Sequence, residues 1–206
     1  MHRNADRSRH QNEMGATFSE ILVAVALLGT ITAFAVPTFT TLRREAALHR
    51  AATHIAMLML RGRARAILRN QTEALVFERL DDGWHCFLAE DGDGDGVRHD
   101  DLHRGRDRIT SEVLQIAAGG AGLGILAGVR IPDPSGRGRL RGNLNDPVRA
   151  GRGDIITFTR YGTATSSSVY FSDGVERMRV LRVIGTTGRM RQLMWRRGWP
   201  RWKPTN

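Results

Sequence analysis

Gly15-Ala16-Thr17-Phe18-Ser19-Glu20-Ile21-Leu22-Val23-Ala24-Val25-Ala26-Leu27-Leu28 is the stretch on which the reading of this chain turns. Before it, residues 1–14 are polar, with Arg3, Arg7 and Arg9 set against Asp6 and Glu13. After it the apolar run continues to Val36, weakened only by Gly29, Thr30 and Thr32. From Phe18 to Phe39, with Glu20 as its one charge, the run is long enough to cross a bilayer core of ~30 Å as a helix. A secretory signal places a small-residue cleavage site after its apolar stretch. Here the small residue, Gly15, comes before it. Glu20 is the second anomaly. A carboxylate at the start of a membrane helix is costly unless paired, although a helix N-terminus favours an anion.

Downstream of the apolar run the helical period persists and becomes amphipathic. Leu48, Ala52, Ile55, Met59, Gly62 and Ala66 recur at three- and four-residue steps, while Arg43, Arg44, Arg50, Arg61, Arg65 and Arg69 fall largely off that stripe. The pattern predicts one helix of roughly 50 residues, kinked near Pro37, with its second half packed on a sheet. Met57 and Met59 read as core filling.

Strand patterns follow at 74–79, 84–89, 109–116, 155–160, 168–171, 178–184 and 189–195, with Asp81-Asp82-Gly83 as a tight hairpin turn. Residues 117–154 are rich in Gly, Pro and Arg and read as a partly ordered insertion. The expected architecture is therefore α+β: a long N-terminal helix, its first half in the membrane, packed on an antiparallel β-sheet domain.

The 206 residues carry a net charge of +10, and Lys203 is the one lysine, so the base is arginine. Guanidinium groups suit phosphate and carboxylate partners, and a composition biased toward arginine produces the same charge with no partner at all. Cys86 is the one cysteine, which excludes an intramolecular disulfide. The histidines are scattered, and no H-E-x-x-H, G-x-S-x-G, P-loop or dinucleotide fingerprint occurs, so the chain reads as a non-enzyme.

The charged leader ending in Gly15, Glu20 as the fifth residue after it, and Pro37 behind the apolar run together resemble the class III signal of type IV prepilins and type II secretion pseudopilins. Thr17 and Glu20 match that signal; Ala16 and Ser19 depart from it, since the usual residues there are Phe and an apolar side chain. The resemblance implies a pilin-like fold and cleavage by a prepilin peptidase after Gly15, with N-methylation of Ala16. It implies pairing of Glu20 with an N-terminal amine inside a filament, and a helix break at Pro37. The chain then divides into a leader (1–15), a filament-core helix (16–40), an amphipathic continuation (41–70), a periplasmic β domain (71–195) and a basic tail (196–206). Implied partners are other pilins or pseudopilins, the inner-membrane assembly platform and the peptidase. The implied location is the inner membrane, single-pass, with the C-terminal domain in the periplasm.

Further segments, in order, resemble the branch that contains minor pseudopilin H and the FimT pilins: Arg65 to Asn70, Gly83-Trp84, the acidic loop from Asp91 to Gly96, Phe158 to Gly162, and Gly188-Arg189-Met190-Arg191. This implies a minor subunit of a type II secretion pseudopilus or a type IV pilus. Asp91, Asp93 and Asp95 with Gly96 fit the first half of a calcium loop, but position twelve is Leu102 where a bidentate Glu belongs. A solvated β-turn is the alternative. Some FimT-like pilins bind DNA through a Gly-Arg-x-Arg segment. That makes Arg189, Arg191, Arg196 and Arg197 candidate phosphate contacts and Trp195, Trp199 and Trp202 candidate base-stacking groups. The same four-residue pattern also occurs at Gly62, Gly105, Gly136 and Gly138, and a merely basic, partner-docking or disordered tail is the alternative.

Overall fold

The computed structural model describes residues 17–116, 121–151 and 153–205, without the side chains of residues 33–38. Met1–Thr41 and Leu42–Asn206 are two compact units. The backbone is helical from Phe18 to Leu68 (α1). Pro37, where a break is expected, lies among the side chains outside the described set.

Within the second unit, α1 buries the residues its period selects. Leu48, Ala52, Ile55, Met59 and Ala66 are all 2% exposed or less. Met57 corrects the sequence reading: at 62% exposure it faces away from the stripe that holds Met59. Two residues advance a helix by about 200°, so the two methionines cannot share a face. The helix ends in a Schellman closure. Asn70 adopts φ +54°, its N–H reaches the carbonyl of Ile67, and the N–H of Gln71 reaches that of Ala66.

The β domain is two antiparallel sheets. The first contains β1 (Glu73–Leu80), β2 (Gly83–Glu90), β3 (Arg108–Ile109), β4 (Leu114–Ile116) and β7 (Ile155–Phe158). The second contains β5 (Gly122–Leu123), β6 (Val148–Ala150), β8 (Ser167–Ser172), β9 (Arg177–Ile184), β10 (Arg189–Arg196) and β11 (Lys203–Pro204). Leu80 pairs with Gly83 across the expected Asp81-Asp82 turn. The strand expected over 109–116 is broken in two. Ile109 sits opposite Ala89 and Leu114 opposite Cys86, so β3 and β4 are separated by more chain than the strand they flank. The Ser111 hydroxyl accepts from the Leu88 N–H at 2.8 Å, taking a bond that a strand carbonyl would otherwise make.

One core joins the helical stripe to a face of each sheet: Leu75, Phe77, Cys86, Leu88, Ile156 and Phe158 from the first, Val148, Val169, Phe171, Leu181 and Val183 from the second. Strand alternation sends the intervening residues to the opposite faces, and both of those faces are covered as well. Val97 and Leu102 pack over Ala74, Val76, Phe87 and Ala89 of the first sheet. Leu126, Ile131, Trp195 and Trp202 pack with Tyr170, Met178 and Val180 of the second. The described part of the 117–154 insertion thus does two things: β5 and β6 belong to the second sheet, and Leu126 and Ile131 between them cover its outer face. The segment expected as a basic tail also folds back: β11 pairs with β10, and Trp202 is 7% exposed.

Candidate functional site

The expected processing site, Gly15 and Ala16, lies outside the described residues. The residues after it form a capping box. The Glu20 Oε2 accepts the backbone N–H of Thr17 at 2.8 Å, and Thr17 Oγ1 lies 3.4 Å from the Glu20 N–H that it caps. Two donors at the helix start are thereby matched by the Thr-x-x-Glu spacing itself, a local role of Glu20 that the sequence reading did not assign. Beyond it, Phe18, Ile21, Leu22, Val23, Val25, Leu27, Leu28 and Ile31 are all more than half exposed. Among the described residues, no helix is long and apolar enough to cross a membrane. The uninterrupted stretch of described side chains, 17–32, is shorter than the ~20 residues a span needs, and 33–38, which complete the run in sequence, fall outside it.

At the other end of α1, Arg63 ties together two segments singled out in sequence. Its Nε donates to the Gly162 carbonyl and its Nη2 to the Thr187 carbonyl, both at 3.0 Å. Gly188 sits at φ +58°, and a Cβ there would lie 2.2 Å from the Gly162 carbonyl oxygen. The glycines of Phe158–Gly162 and Gly188–Arg191 are therefore spatial neighbours, and Gly188 is required by the backbone approach. Arg63 itself was missed in sequence; its only signal there was a basic residue next to Gly62. Two residues further on, Arg65 donates to the fully buried Glu73 at 2.7 Å, and Glu90 gathers Arg69 and Arg108.

The acidic loop brings carboxylate oxygens of Asp91, Asp93 and Asp95 within 4.8 Å of one another. Each has work within the loop. The two Asp91 oxygens accept from the N–H groups of Gly94 (2.7 Å) and Gly96 (3.0 Å). Asp95 pairs with Arg98 at 2.6 Å. A hydrogen bond between the Asp93 and Asp95 side chains holds the Asp93 carboxyl below its ordinary pKa and pushes that of Asp95 above it. Gly96, at φ +95°, makes the sharp turn expected of it. Leu102 at position twelve is packed against the first sheet, and buried Asp101 faces Arg106 at 3.4 Å. The carboxylates alone thus offer three oxygens toward the 6–8 that calcium takes.

The basic C-terminal segment separates into two groups. Trp195 and Trp202 are 1% and 7% exposed, and their indole N–H groups are held by the carbonyls of Trp199 and Pro132. Neither has a free face for a base. Trp199 is half-buried under the Lys203 ammonium, 4.2 Å from the ring centre. Arg196 pairs with Glu176 at 3.2 Å, whereas Arg189, Arg191 and Arg197 are exposed. The register adds what the sequence did not reveal. Arg149 faces Ser168, Ser168 faces Arg182, and Arg182 faces Arg191. Alternation from Tyr170, Val180 and Leu193 puts this row on the outer face of the second sheet. Arg149 stacks on Tyr170 at 5.2 Å. Like charges directly opposite one another destabilise a sheet, and Arg182 and Arg191 have no acidic partner among the described residues.

Cys86 is buried beside His85, and burial pushes its thiol up to about 12, which keeps it protonated at neutral pH. Compared with family models, with curated proteins and with solved structures, the chain matches none.

Proposed function

We propose that this chain is a minor pilin or pseudopilin of the type II secretion and type IV pilus machinery, of the branch that contains pseudopilin H and FimT, held in the inner membrane by the first half of α1. The observation that carries the reading is the junction at residues 15–20. A charged leader ends in Gly15, and a helix start capped by Thr17 and Glu20 opens into an exposed apolar helix. An apolar helical surface of this kind calls for lipid or other helices to cover it. Cleavage after Gly15 would make Glu20 the fifth residue of the mature chain, and its carboxylate would pair with the N-terminal amine of a neighbouring subunit. The β domain would then stand outside the filament core, near the tip, and the work is assembly and not catalysis. Mass spectrometry of the chain from cells with an active prepilin peptidase tests this. A mature start at methylated Ala16 is expected; an intact leader overturns it.

A second reading, capture of nucleic acid during DNA uptake, is favoured by the arginine row of Arg149, Arg182 and Arg191, with Arg189 beside it. These groups suit a phosphate backbone without base stacking. A gel shift at physiological salt is the test. Replacing Arg182 and Arg191 together by Ala is expected to abolish the shift, and an unchanged shift removes this reading.

A further inference from the structure

A further charged cluster of the second unit lies where the N-terminal part of its helix meets the ends of β9 and β10. A pocket of about 120 Å³ is lined there by Glu45, Leu48, Arg177, Arg179, Trp195 and Arg196, among others. Arg177 pairs with Glu45 and also reaches Glu176 at 3.2 Å; Arg196 reaches Glu176 at 3.2 Å. Three guanidinium groups therefore meet two carboxylates, and both carboxylates are engaged by Arg177 and Arg196.

Arg179 is the group left over. It is 7% exposed, it has no hydrogen-bond or ion-pair partner among the described residues, and its Nη1 is fully buried. Alternation along β9 explains the burial. Met178 and Val180 face the outer cover, so Arg179 points with Leu181 toward the helix side. A buried charge without a partner is strongly unfavourable, and native proteins pair such groups or give them an ion. Glu45 is near enough to act on Arg179 electrostatically, but its bond goes to Arg177.

We propose that Arg179 is the floor of a carboxylate-binding site, with Arg177 beside it and Glu45 as a competing internal anion. The excess of one positive charge matches a monovalent carboxylate better than a doubly charged phosphate. The guanidinium fork takes a carboxylate bidentately, and the small pocket admits a single such group. The carboxylate comes either from a Glu or Asp side chain of another protein or from a small free acid. This inference is independent of the filament reading.

The test uses the full chain in non-ionic detergent, with tryptophan fluorescence as readout, since Trp195 and Trp199 line the pocket. Sodium acetate is titrated against sodium chloride and inorganic phosphate at matched ionic strength. A saturable response to acetate that chloride does not reproduce and phosphate reproduces more weakly is expected. Arg179→Met is expected to weaken acetate binding at least tenfold without lowering Tm in acetate-free buffer. Glu45→Gln, by removing the competing anion, is expected to strengthen it severalfold. An acetate response equal to that of chloride, or one retained in Arg179→Met, overturns the site. Should Arg179→Met fail to fold, unchanged or weakened acetate binding in Glu45→Gln overturns it. Displacement of acetate by N-acetyl-glutamate amide at a lower concentration than acetate itself supports the site and identifies a protein side chain as its occupant. Displacement only at higher concentration supports it with a small acid as occupant.

Discussion

The two halves of α1 obey the same backbone geometry and differ in where their apolar side chains find cover. From Leu48 to Ala66 the apolar residues form one stripe, and the β domain of the same chain buries it. From Phe18 to Ile31 they surround the helix, and the described ones are exposed. A one-sided stripe specifies an intramolecular partner; a helix apolar on every side requires an environment. Folding of the β domain should therefore depend on the second half and be indifferent to the first.

The largest effect should come from breaking that asymmetry directly. Ile55→Asp buries an unpaired carboxylate, and a loss of more than ~3 kcal/mol, seen as failure of the domain to melt cooperatively, is expected. Leu27→Asp should leave the same melting transition within ~0.5 kcal/mol, because the site is exposed. On the filament reading it should also release the chain from the membrane fraction. Equal destabilisation by the two substitutions would end the comparison.

Next comes the end of the second half, where Arg63 holds Gly162 and Thr187. Gly188→Ala meets both a positive φ and a carbonyl oxygen, and a loss of ~2–4 kcal/mol in denaturant unfolding is expected. Arg63→Met should cost ~1–3 kcal/mol for two hydrogen bonds from a charged donor. Smaller still is the start of the first half. Glu20→Gln keeps a capping-box side chain, so helix content by circular dichroism should change little, with ~0.5 kcal/mol at stake. Filament incorporation should nevertheless fall if the charge itself pairs with a neighbour's amine. Retained incorporation would leave capping as the whole role of Glu20. The acidic loop, outside both halves, should respond least: calorimetric titration is expected to show calcium binding no tighter than roughly millimolar, given three carboxylate oxygens and Leu102 at position twelve. Micromolar binding would reveal ligands beyond those three.

How much was legible follows from how local each feature is. The stripe from Leu48 to Ala66 and the cores of most strands were readable because periods of 3.6 and 2 are written along the chain. Met57 was misread because composition was weighed ahead of its angular position. The strand over 109–116 was overextended because nothing in its composition announces that a Ser111 hydroxyl replaces a ladder bond. Trp195, Trp199 and Trp202 resembled a stacking surface because tryptophans among arginines look exposed in one dimension. In three dimensions Trp195 and Trp202 close the core beneath the insertion.

The filament proposal draws on sequence alone at this junction, where a charged stretch, Gly15, Glu20 and an apolar run are contiguous, whereas the capping box of Thr17 and Glu20 became visible only in the structure. The helix, its buried stripe and the β-rich remainder were determined by the sequence, through periodicity. Only the tertiary structure decided that there are two sheets, with β7 returning to pair with β1. It alone set Gly162 against Gly188 under Arg63, aligned Arg149, Arg182 and Arg191 in one row, and left Arg179 buried without a carboxylate. Each of these depends on which distant segments meet, and pairing across such distances is set by the joint packing of the whole core, which no local pattern encodes.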